Sequence, residues 1–589
     1  MNKRQNSIPS KRRTKLLKYF IEPTTSGQKQ YEAVRAFIVE QLTAEEVAKK
    51  FGYTLSTVYS LVKKTTAGKL KLFPKVEKGP KGRRIPIDVQ NKIIQFRKRN
   101  LSAKDIEQKL AKENISISKR TIARVLLDAG FKKLKRRTNR ERGITKKNKL
   151  ISKRSGNLNF KKLEPFKVDC PVVGVYFFLP YIIESGILDI VKKCNLPGSN
   201  DIGSVQASLS MLLLKLIGNE RLSHIKQYDH EPGLGIFAGL NRLPKPTYMG
   251  TYSCNTSEPM LLNFQEEIIN LFRNKYPNFY NSKFINLDFH SIPHYGDQAT
   301  MERVWCGSKG KTIKGANTVF AQDSESNVIL YTRADILRKE ESEEIKNFVS
   351  YWKKIKGKVD ETLVFDCKFT RYDILDELAS DQIKFITLQR RYKKLVDNTD
   401  RIPKEKWLAI KLEIPKRKHN NILVYTEDVI LKGCKNKFRR IIIKDHGRER
   451  PTFIITNDYE LDLKTIITVY AKRWRIENKF AELVSFFNLN ALSSSLMIRI
   501  HFDILWTMIA DTLYKIFAQE LRRSEEHIAP TIFKDFINMP GRVEYDGEKF
   551  VIKIRKRAPT PILKSVDVLC LPINIKWLNN KPIEIIWRP

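Results

Sequence analysis

Three acidic residues lie in apolar surroundings, where an ionised side chain is costly. Asp288 lies in the run FINLDF, Asp366 directly follows the run LVF, and Glu477 lies within a predicted helix. A buried carboxylate needs a salt bridge or a bound cation, and for any one acid the salt bridge is the commoner explanation. Together the three acids indicate a site for two Mg²⁺ ions. Mg²⁺ prefers oxygen ligands, and two such ions about 3.5–4 Å apart stabilise both reacting oxygens of a phosphodiester displacement.

The elements predicted around these acids form a mixed α/β sheet. Three strands, a helix, a strand, a helix and a strand follow one another, which is typical of this fold class. The predicted strands are Lys283–Ile292, Thr318–Gln322, Val328–Arg333, Thr362–Phe365, Lys384–Leu388 and Pro451–Thr456. The predicted helices are Glu340–Lys354, Tyr372–Ala379 and a long helix over about Leu463–Phe487. Residues 391–450 are basic and rich in strand-forming residues.

Two further side chains accompany Glu477 along its predicted helix. Tyr470 and Arg473 precede it by seven and four residues, so the three side chains share one helical face. Val484 follows after six intervening residues, and Lys479 is nearby on another face.

This pattern resembles the DDE transposases of bacterial and archaeal insertion sequences. It is similar to the subgroup with a Tyr-x2-Arg-x3-Glu-x6-Lys signature, with Val484 standing where the signature has Lys. The segments DFH at 288–290 and DCKFT at 366–370 also resemble the family. The resemblance covers residues 170–510, and the glutamate motif is its most specific part.

The resemblance implies a ribonuclease H-like catalytic domain with a β-rich insertion at 391–450, before the glutamate helix. Asp288, Asp366 and Glu477 would be the catalytic residues and would hold two Mg²⁺ ions, for which Mn²⁺ would substitute. Activated water would cut at the end of the element, and the freed 3′-hydroxyl would attack target DNA. Arg473 would hold a phosphate and Tyr470 would contact the terminal nucleotides.

Histidine and tryptophan side chains offer further contacts. His290 lies two residues from Asp288 on the same strand face, where it would touch a metal-bound water or, more commonly, support the site from behind. His294 follows closely. Four tryptophans are candidates for stacking on an unpaired base, although such residues are more often core: Trp305, Trp352, Trp407 and Trp474.

Residues 31–64 predict a helix-turn-helix that binds DNA. A helix over about Tyr31–Val39 precedes a second helix capped by Thr43 with Glu46 as a capping box. Small Ala48 and the turn residue Gly52 allow two helices to cross closely. The third helix begins near Ser56. Val47 of the second helix and Val58 and Leu61 of the third helix are predicted to face inward. The residues predicted to face the major groove are Ser56, Thr57, Ser60, Lys63 and Lys64. The alternative is a three-helix bundle without a ligand.

Residues 88–129 repeat this pattern with a longer turn. Asp88–Arg99 forms one helix, Ser102 begins another, and Ser118 caps a third. The inward residues are Ile106, Leu110, Ile122, Val125 and Leu126. The outward residues, predicted to bind DNA, are Lys119, Arg120, Thr121 and Arg124.

Basic segments join these modules to each other and to the rest of the chain. Arg83 and Arg84 lie in a linker flanked by prolines, which fits either a narrow minor groove or a solvated spacer. Residues 131–154 contain 12 basic residues among 24 and predict an arm that follows the phosphates. A solvated spacer is the alternative.

The overall charge predicts a polyanionic partner. Lys and Arg number 109 against 64 Asp and Glu, and residues 1–160 hold 42 of the basic and 12 of the acidic residues. The seven cysteines have no zinc-finger spacing and fit reduced thiols in a cytosol. Neither of the two most apolar stretches is predicted to span a membrane; these are Val172–Ile183 and Ile500–Ala518. No secretory signal is visible. Nucleic acid is therefore the expected partner of a cytoplasmic, nucleoid-associated protein.

We predict a multidomain chain in which all-α helix-turn-helix modules precede an α/β catalytic core. Residues 160–275 predict a buried helical scaffold that includes Val205–Ile217. Met497–Leu521 predicts a helix packed on the sheet, and 542–556 a hairpin turning at Asp546-Gly547. The predicted segments are 1–70 and 71–155 (DNA-binding modules), 156–280 (scaffold), 281–390 and 451–525 (core), 391–450 (insertion) and 526–589 (C-terminal region).

The sequence thus predicts a metal-dependent DNA transposase that cleaves element ends and transfers strands into target DNA. Its partners would be double-stranded DNA, as terminal inverted repeats and target, and a second copy of the chain, because two DNA ends must be held together. No membrane partner is expected. Two alternatives stay open: a catalytically retired, sequence-specific DNA-binding regulator, and a ribonuclease H-like nuclease without strand transfer.

Overall fold

The computed structural model describes residues 17, 21–70, 72–73, 85–132, 134, 154–296, 301–413, 419–491 and 496–589. The chain divides into two compact units, Met1–Thr145 and Lys146–Pro589.

The described part of the first unit consists of two groups of three helices. The first group contains α1 (Ser26–Ile38), α2 (Ala44–Phe51) and α3 (Leu55–Thr66). The second group contains α4 (Ile87–Lys98), α5 (Ala103–Lys112) and α6 (Lys119–Asp128). Each group encloses its own small apolar core. The predicted helices are confirmed, although α1 begins five residues earlier than the sequence pattern indicates.

Local interactions fix the ends of these helices. The Glu46 carboxylate accepts the Thr43 N–H at 2.8 Å, and Thr43 Oγ1 accepts the Glu46 N–H at 3.4 Å, so the predicted capping box is confirmed. Gly52 ends α2 with a φ of +65°, a left-handed conformation that side-chain-bearing residues rarely adopt. Ser102 and Ser118 cap α5 and α6, as predicted. The inward residues named from the sequence are all buried.

The second unit begins with β1 (Phe166–Cys170) and a largely buried helical region. Its α-helices are α7 (Leu179–Ser185), α8 (Ile187–Lys193), α9 (Ser204–Leu216), α10 (Pro232–Phe237), α11 (Pro246–Cys254) and α12 (Glu258–Lys275). Helix α9 confirms the predicted apolar helix, and its side chains from Ala207 to Leu216 are all buried.

A mixed sheet follows the helical region. Its first strands and helices are β2 (Phe284–Pro293), β3 (Arg303–Cys306), β4 (Lys311–Asp323), β5 (Ile329–Arg333), α13 (Glu344–Lys356), β6 (Thr362–Phe365), α14 (Tyr372–Ser380) and β7 (Phe385–Leu388). Strand β2 lies between β4, to which it is antiparallel, and β6, to which it is parallel. Strand β7 is parallel to β6, and β5 pairs with the outer side of β4. The predicted mixed α/β sheet is confirmed.

The strand-rich segment extends this same sheet. Its elements are α15 (Lys393–Thr399), β8 (Leu408–Lys411), β9 (Asn421–Ile430), β10 (Lys437–Lys444) and β11 (Thr452–Thr456). Strand β11 is antiparallel to β7, and β10, β9 and β8 follow in that order.

The predicted helix over Leu463–Phe487 is wrong in one respect, because it consists of two helices. These are α16 (Leu463–Lys472) and α17 (Arg475–Ser485). At the break the backbone bonds tighten to three-residue steps, with the Arg473 N–H donating to Tyr470 O at 3.2 Å and the Ile476 N–H to Arg473 O at 3.0 Å. No proline or glycine marks the break in the sequence. Arg473 at the break instead reaches across to strand β2.

The C-terminal part adds a long helix and a second sheet. Its elements are α18 (Met497–Glu520), α19 (Ala529–Ile532), β12 (Gly541–Tyr545), β13 (Phe550–Arg555), α20 (Thr560–Lys564), α21 (Asp567–Cys570), β14 (Ile573–Ile575) and β15 (Lys581–Arg588). The second sheet has the order β1–β12–β13–β15–β14. Strands β12 and β13 confirm the predicted hairpin, in which Gly547 has a φ of +111°. Helix α18 packs against β5 and α9.

Among the described residues, no single helix is long and apolar enough to cross a membrane. One bent pair of helical segments, Val173–Ser185 with Ile187–Lys193, meets the length and composition criteria together. All seven cysteines are free thiols, as predicted.

A buried ion cluster holds α17 against α18. Lys479 donates to Glu482 Oε2 at 2.8 Å and to Asp511 Oδ1 at 2.5 Å. The second Glu482 oxygen accepts the Ala529 N–H at 2.9 Å. Lys479 thus points away from the helix face that carries Glu477, as the sequence spacing indicates. Because the hydrogen bonds of Lys479 are directional, this cluster fixes the rotation of α17 about its own axis.

We expect Lys479→Met to destabilise the second unit by about 3–5 kcal/mol, because it leaves two carboxylates buried without their cation. The measurement is thermal unfolding followed by circular dichroism, with a fall of several degrees in Tm. The matched control is Lys472→Met on the exposed side of α16, which should leave Tm unchanged. Equal Tm values for the two variants would contradict a fastening role for the cluster.

Candidate active site

Two of the predicted acids lie side by side on adjacent parallel strands. The register pairs Leu287 of β2 with Phe365 of β6. Asp288 directly follows Leu287, and Asp366 directly follows Phe365. Residues paired across parallel strands point to the same side of the sheet. The Asp366 carboxylate also raises the pKa of Asp288. The strand pairing therefore brings two of the three predicted acids together.

The Asp288 carboxylate is buried and fully engaged. Its side chain is 11% exposed; Oδ1 accepts the Phe289 N–H at 2.8 Å, and Oδ2 lies 2.5 Å from Nη1 of Arg473. Burial raises the pKa of Asp288, Arg473 opposes the rise, and the neighbouring Asp366 carboxylate adds to it. Asp288 is therefore a buried carboxylate whose charge is paired with the Arg473 guanidinium.

Arg473 joins Asp288 to Glu477. Its Nη2 lies 3.4 Å from Glu477 Oε1, while its Nη1 contacts Asp288. Burial by itself lowers the pKa of Arg473, but Asp288, Tyr470 and Asp366 raise it overall. The Nε atom of this guanidinium is buried and has no hydrogen-bond partner. Arg473 is thus held charged between two acids, with its buried Nε donor unused.

Tyr470 lies beneath this guanidinium rather than beside Glu477 on one continuous helix. The Arg473 guanidinium carbon lies 5.7 Å from the centre of the Tyr470 ring, a distance at which a cation is attracted to an aromatic face. Burial raises the pKa of the Tyr470 phenol well above its usual value. The three signature side chains do meet, but across the α16–α17 break instead of along one helical face.

The donor chemistry of the site fits a hard divalent cation. Asp288, Asp366 and Glu477 supply carboxylate oxygens, which Mg²⁺ prefers. The Glu477 side chain is 61% exposed. The Asp366 carboxylate accepts a hydrogen bond from the Lys368 N–H at 2.8 Å. Across the part of the chain that the structure describes, no three His, Cys, Asp or Glu side chains lie close enough together to hold a metal. Of the three acids, Glu477 is the one whose side chain would have to move toward Asp288 and Asp366 to share a metal with them. The Arg473 guanidinium lies between Glu477 and Asp288.

His290 supports the site from the strand. Its Nε2 lies 2.8 Å from Asn490 Oδ1, and its ring packs 4.9 Å from that of Phe480 on α17. Burial lowers the pKa of His290, and the hydrogen bond to Asn490 opposes that fall. Asn490 lies two hundred residues away in the chain, and no pattern in the sequence identifies it as a partner of His290.

Aromatic packing closes the site on the other side. Phe289 and Phe369 stack with ring centres 4.2 Å apart, and the Lys368 ammonium lies 5.7 Å from the Phe289 ring centre. The Lys368 ammonium thus lies over the ring of the residue that directly follows Asp288. Val484, at the position of the signature Lys, packs on the apolar core.

The remaining predicted stacking residues divide by exposure. Trp305 and Trp474 are 60% and 47% exposed, whereas Trp352 is buried and donates to Glu361 Oε2 at 3.0 Å. Trp407 packs near Tyr425 in the strand-rich segment. Trp305 and Trp474 thus have the exposure that stacking on a base requires, Trp407 is half-buried, and Trp352 is a core residue.

In the first unit, the predicted DNA-binding side chains are accessible to different extents. Ser56, Lys63 and Lys64 on α3 are exposed, and Thr57 and Ser60 are half-buried. On α6, Lys119, Arg120 and Arg124 are exposed and Thr121 is half-buried. Arg83 and Arg84, and residues 133 and 135–153 of the basic arm, lie outside the described residues.

Comparison with known proteins identifies the region that carries this site. Residues 282–513, from just before β2 into α18, match the protein family described as "Transposase DDE domain". All three predicted acids lie within the matched residues. No curated protein sequence matches the chain.

Three solved structures are similar to this chain at low identity. The piggyBac transposase synaptic complex with hairpin DNA is 11% identical, with 62% of this chain and 80% of that chain covered and a TM-score of 0.33. The Mos1 transposase paired-end complex with left transposon end is 10% identical, with 61% and 77% covered and a TM-score of 0.14. The Mos1 strand transfer complex is 10% identical, with 62% and 77% covered and a TM-score of 0.13.

We expect His290 to be neutral at pH 7 and to gain a proton only below pH 6.5, because burial disfavours its charged form. With eight histidines in the chain, ¹⁵N-histidine labelling gives a tractable NMR spectrum. The His290→Gln variant assigns the signal by its loss. Protonation of that signal with a midpoint at or above 6.5 would contradict the buried, Asn490-bonded state.

Proposed function

We propose that the chain is a metal-dependent DNA transposase that cleaves at the ends of an insertion sequence and joins them to target DNA. The observation that carries the proposal is that Arg473 contacts both Asp288 and Glu477, with Asp366 following the strand paired to β2, within residues that match a transposase DDE domain. We further propose that this domain is ribonuclease H-like, of the insertion-sequence subgroup, with residues 391–450 as its insertion.

Asp288, Asp366 and Glu477 would hold two Mg²⁺ ions, which Mn²⁺ would replace. When bound, such a pair supplies an activated water and positive charge on both reacting oxygens. Within the chain, the β2–β6 pairing orients two carboxylates toward one side of the sheet. Helix α17, fixed by the Lys479 cluster, presents Glu477 to the same side. His290 and the Phe289–Phe369 stack hold strand β2 in place.

Arg473 and Tyr470 would bind the DNA end next to these acids. Arginine forms paired, charge-assisted hydrogen bonds with phosphate oxygens, and Arg473 has an unused buried Nε donor. Tyr470 supports the guanidinium from below and would contact the terminal nucleotides. Exposed Trp474 lies directly beside Arg473, within reach of the same end.

The first unit would supply sequence recognition. Both three-helix groups carry exposed cations on their third helix, α3 or α6, which is the geometry of a helix-turn-helix reading a major groove. The basic segment 131–154 and the pair Arg83 and Arg84 would add phosphate or minor-groove contacts. A dimer would hold two terminal repeats together.

We expect Glu477→Gln to reduce cleavage by about 100-fold or more, because a neutral amide is a poor ligand for a divalent cation. The assay incubates purified full-length protein with the DNA that flanks this reading frame, with Mg²⁺ or Mn²⁺. Cleavage at a repeat end is scored by gel. The matched control is Glu526→Gln, an exposed acid in the loop after α18, which should retain wild-type activity.

Three other outcomes of this assay have different meanings. Specific binding of wild type without cleavage would favour a regulator derived from a transposase. Cleavage without strand joining, at sites unrelated to the repeats, would favour a nuclease. Equal activity of the Glu477 and Glu526 variants would remove Glu477 from the proposed site.

We expect Arg120→Ala and Arg124→Ala each to weaken binding to the repeat DNA by about 1–3 kcal/mol where they contact bases, or to lower the salt dependence by about one ion where they contact phosphate. Fluorescence anisotropy at several salt concentrations separates these effects. Lys104→Ala, exposed on α5, serves as the control. Unchanged affinity and salt dependence in both α6 variants would exclude α6 as a reading helix.

A further inference from the structure

The acids of the proposed site already have a cation, and that cation is Arg473. Its Nη1 lies 2.5 Å from Asp288 Oδ2 and its Nη2 lies 3.4 Å from Glu477 Oε1. These oxygens belong to two of the three acids proposed to bind the divalent ions. A single guanidinium therefore occupies the space between the strand acid and the helix acid.

We propose that Arg473 is an internal counter-ion that competes with the divalent metal for Asp288. Metal binding then requires the guanidinium to leave Asp288, and the site is closed to metal until it does. This inference rests on the proposed function, because it concerns the same acids. It adds the condition under which these acids can bind a metal.

The need for a counter-ion follows from burial. The Asp288 carboxylate is only 11% exposed and lies close to the Asp366 carboxylate, so its negative charge is both desolvated and repelled. Removing the cation from a buried ion pair is strongly unfavourable. In the absence of a metal, Arg473 is the contact that stabilises this charge.

Arg473 and a metal on Asp288 Oδ2 exclude each other. The guanidinium already lies at hydrogen-bond distance from that oxygen, so an ion ligated there would lie a few ångströms from it. Two cations at that separation repel strongly in a site sheltered from water. The other oxygen of this carboxylate, Oδ1, accepts the Phe289 N–H, so both oxygens already have a partner.

The position of Arg473 in the chain allows it to leave. It lies at the α16–α17 break, where backbone bonds have three-residue steps, and its other acid partner, Glu477, is 61% exposed. Its buried Nε has no acceptor in the closed arrangement. A phosphate oxygen is the acceptor chemistry that this donor lacks, so the same side chain that blocks the metal is suited to turn toward DNA.

The test measures Mn²⁺ binding to the full chain without DNA, by isothermal titration calorimetry and by electron paramagnetic resonance of free Mn²⁺. We expect Arg473→Gln to bind Mn²⁺ at least about tenfold more tightly than wild type, because one competing positive charge is removed. Arg473→Lys keeps the charge but cannot contact both acids at once, and should fall between the two. Lys472→Gln, which removes the neighbouring exposed cation, should match wild type.

The outcomes separate this inference from the proposed function. Equal or weaker Mn²⁺ affinity of folded Arg473→Gln and Arg473→Lys, relative to wild type, would overturn the counter-ion role. If Arg473→Gln does not fold, Arg473→Lys alone decides between tighter and unchanged binding. Loss of binding in Asp288→Asn locates the ion at the proposed site. Binding that survives in Asp288→Asn places the metal elsewhere, and that result would count against the proposed site itself.

Discussion

The carboxylate of Asp288 is buried in the central strand β2 and needs a positive charge beside it. The parallel pairing of β2 with β6 adds the Asp366 carboxylate at the same level, which makes that need greater. The guanidinium of Arg473, which lies at the break between α16 and α17, supplies this positive charge. Glu477 contacts the same guanidinium from its other side, and the Tyr470 ring lies beneath it.

The position of α17 depends in turn on charges on its opposite side. Lys479 holds α17 against α18 through Glu482 and Asp511, in a cluster shielded from water. Glu477 is exposed on the other face, free to move toward the acids of the sheet while its helix stays fixed. The helix therefore combines a rigid attachment with one adjustable side chain, which suits a residue that must meet a ligand supplied from outside.

Much of the fold is predictable from the sequence, because it depends on local patterns. The Thr43–Glu46 capping box, the apolar helix α9 and the strand ending before Asp366 are examples in which side-chain type and spacing determine the element. The α16–α17 break could not be predicted, because no proline or glycine marks it in the sequence. The contacts of Arg473 with Asp288 and of His290 with Asn490 were missed because they join residues 185 and 200 positions apart in the chain. The three acids could be named from their apolar surroundings, but the guanidinium between two of them could not.

The most direct test is a crystal structure of the full chain grown with Mn²⁺, in which anomalous scattering locates the ion. We predict a Mn²⁺ peak between Asp288 and Asp366, with Glu477 turned inward and the Arg473 guanidinium withdrawn from Asp288. A peak at these acids with Arg473 still on Asp288 Oδ2 would contradict the exchange of cations. A structure in which Mn²⁺ occupies only sites remote from Asp288, Asp366 and Glu477 would contradict the proposed metal site.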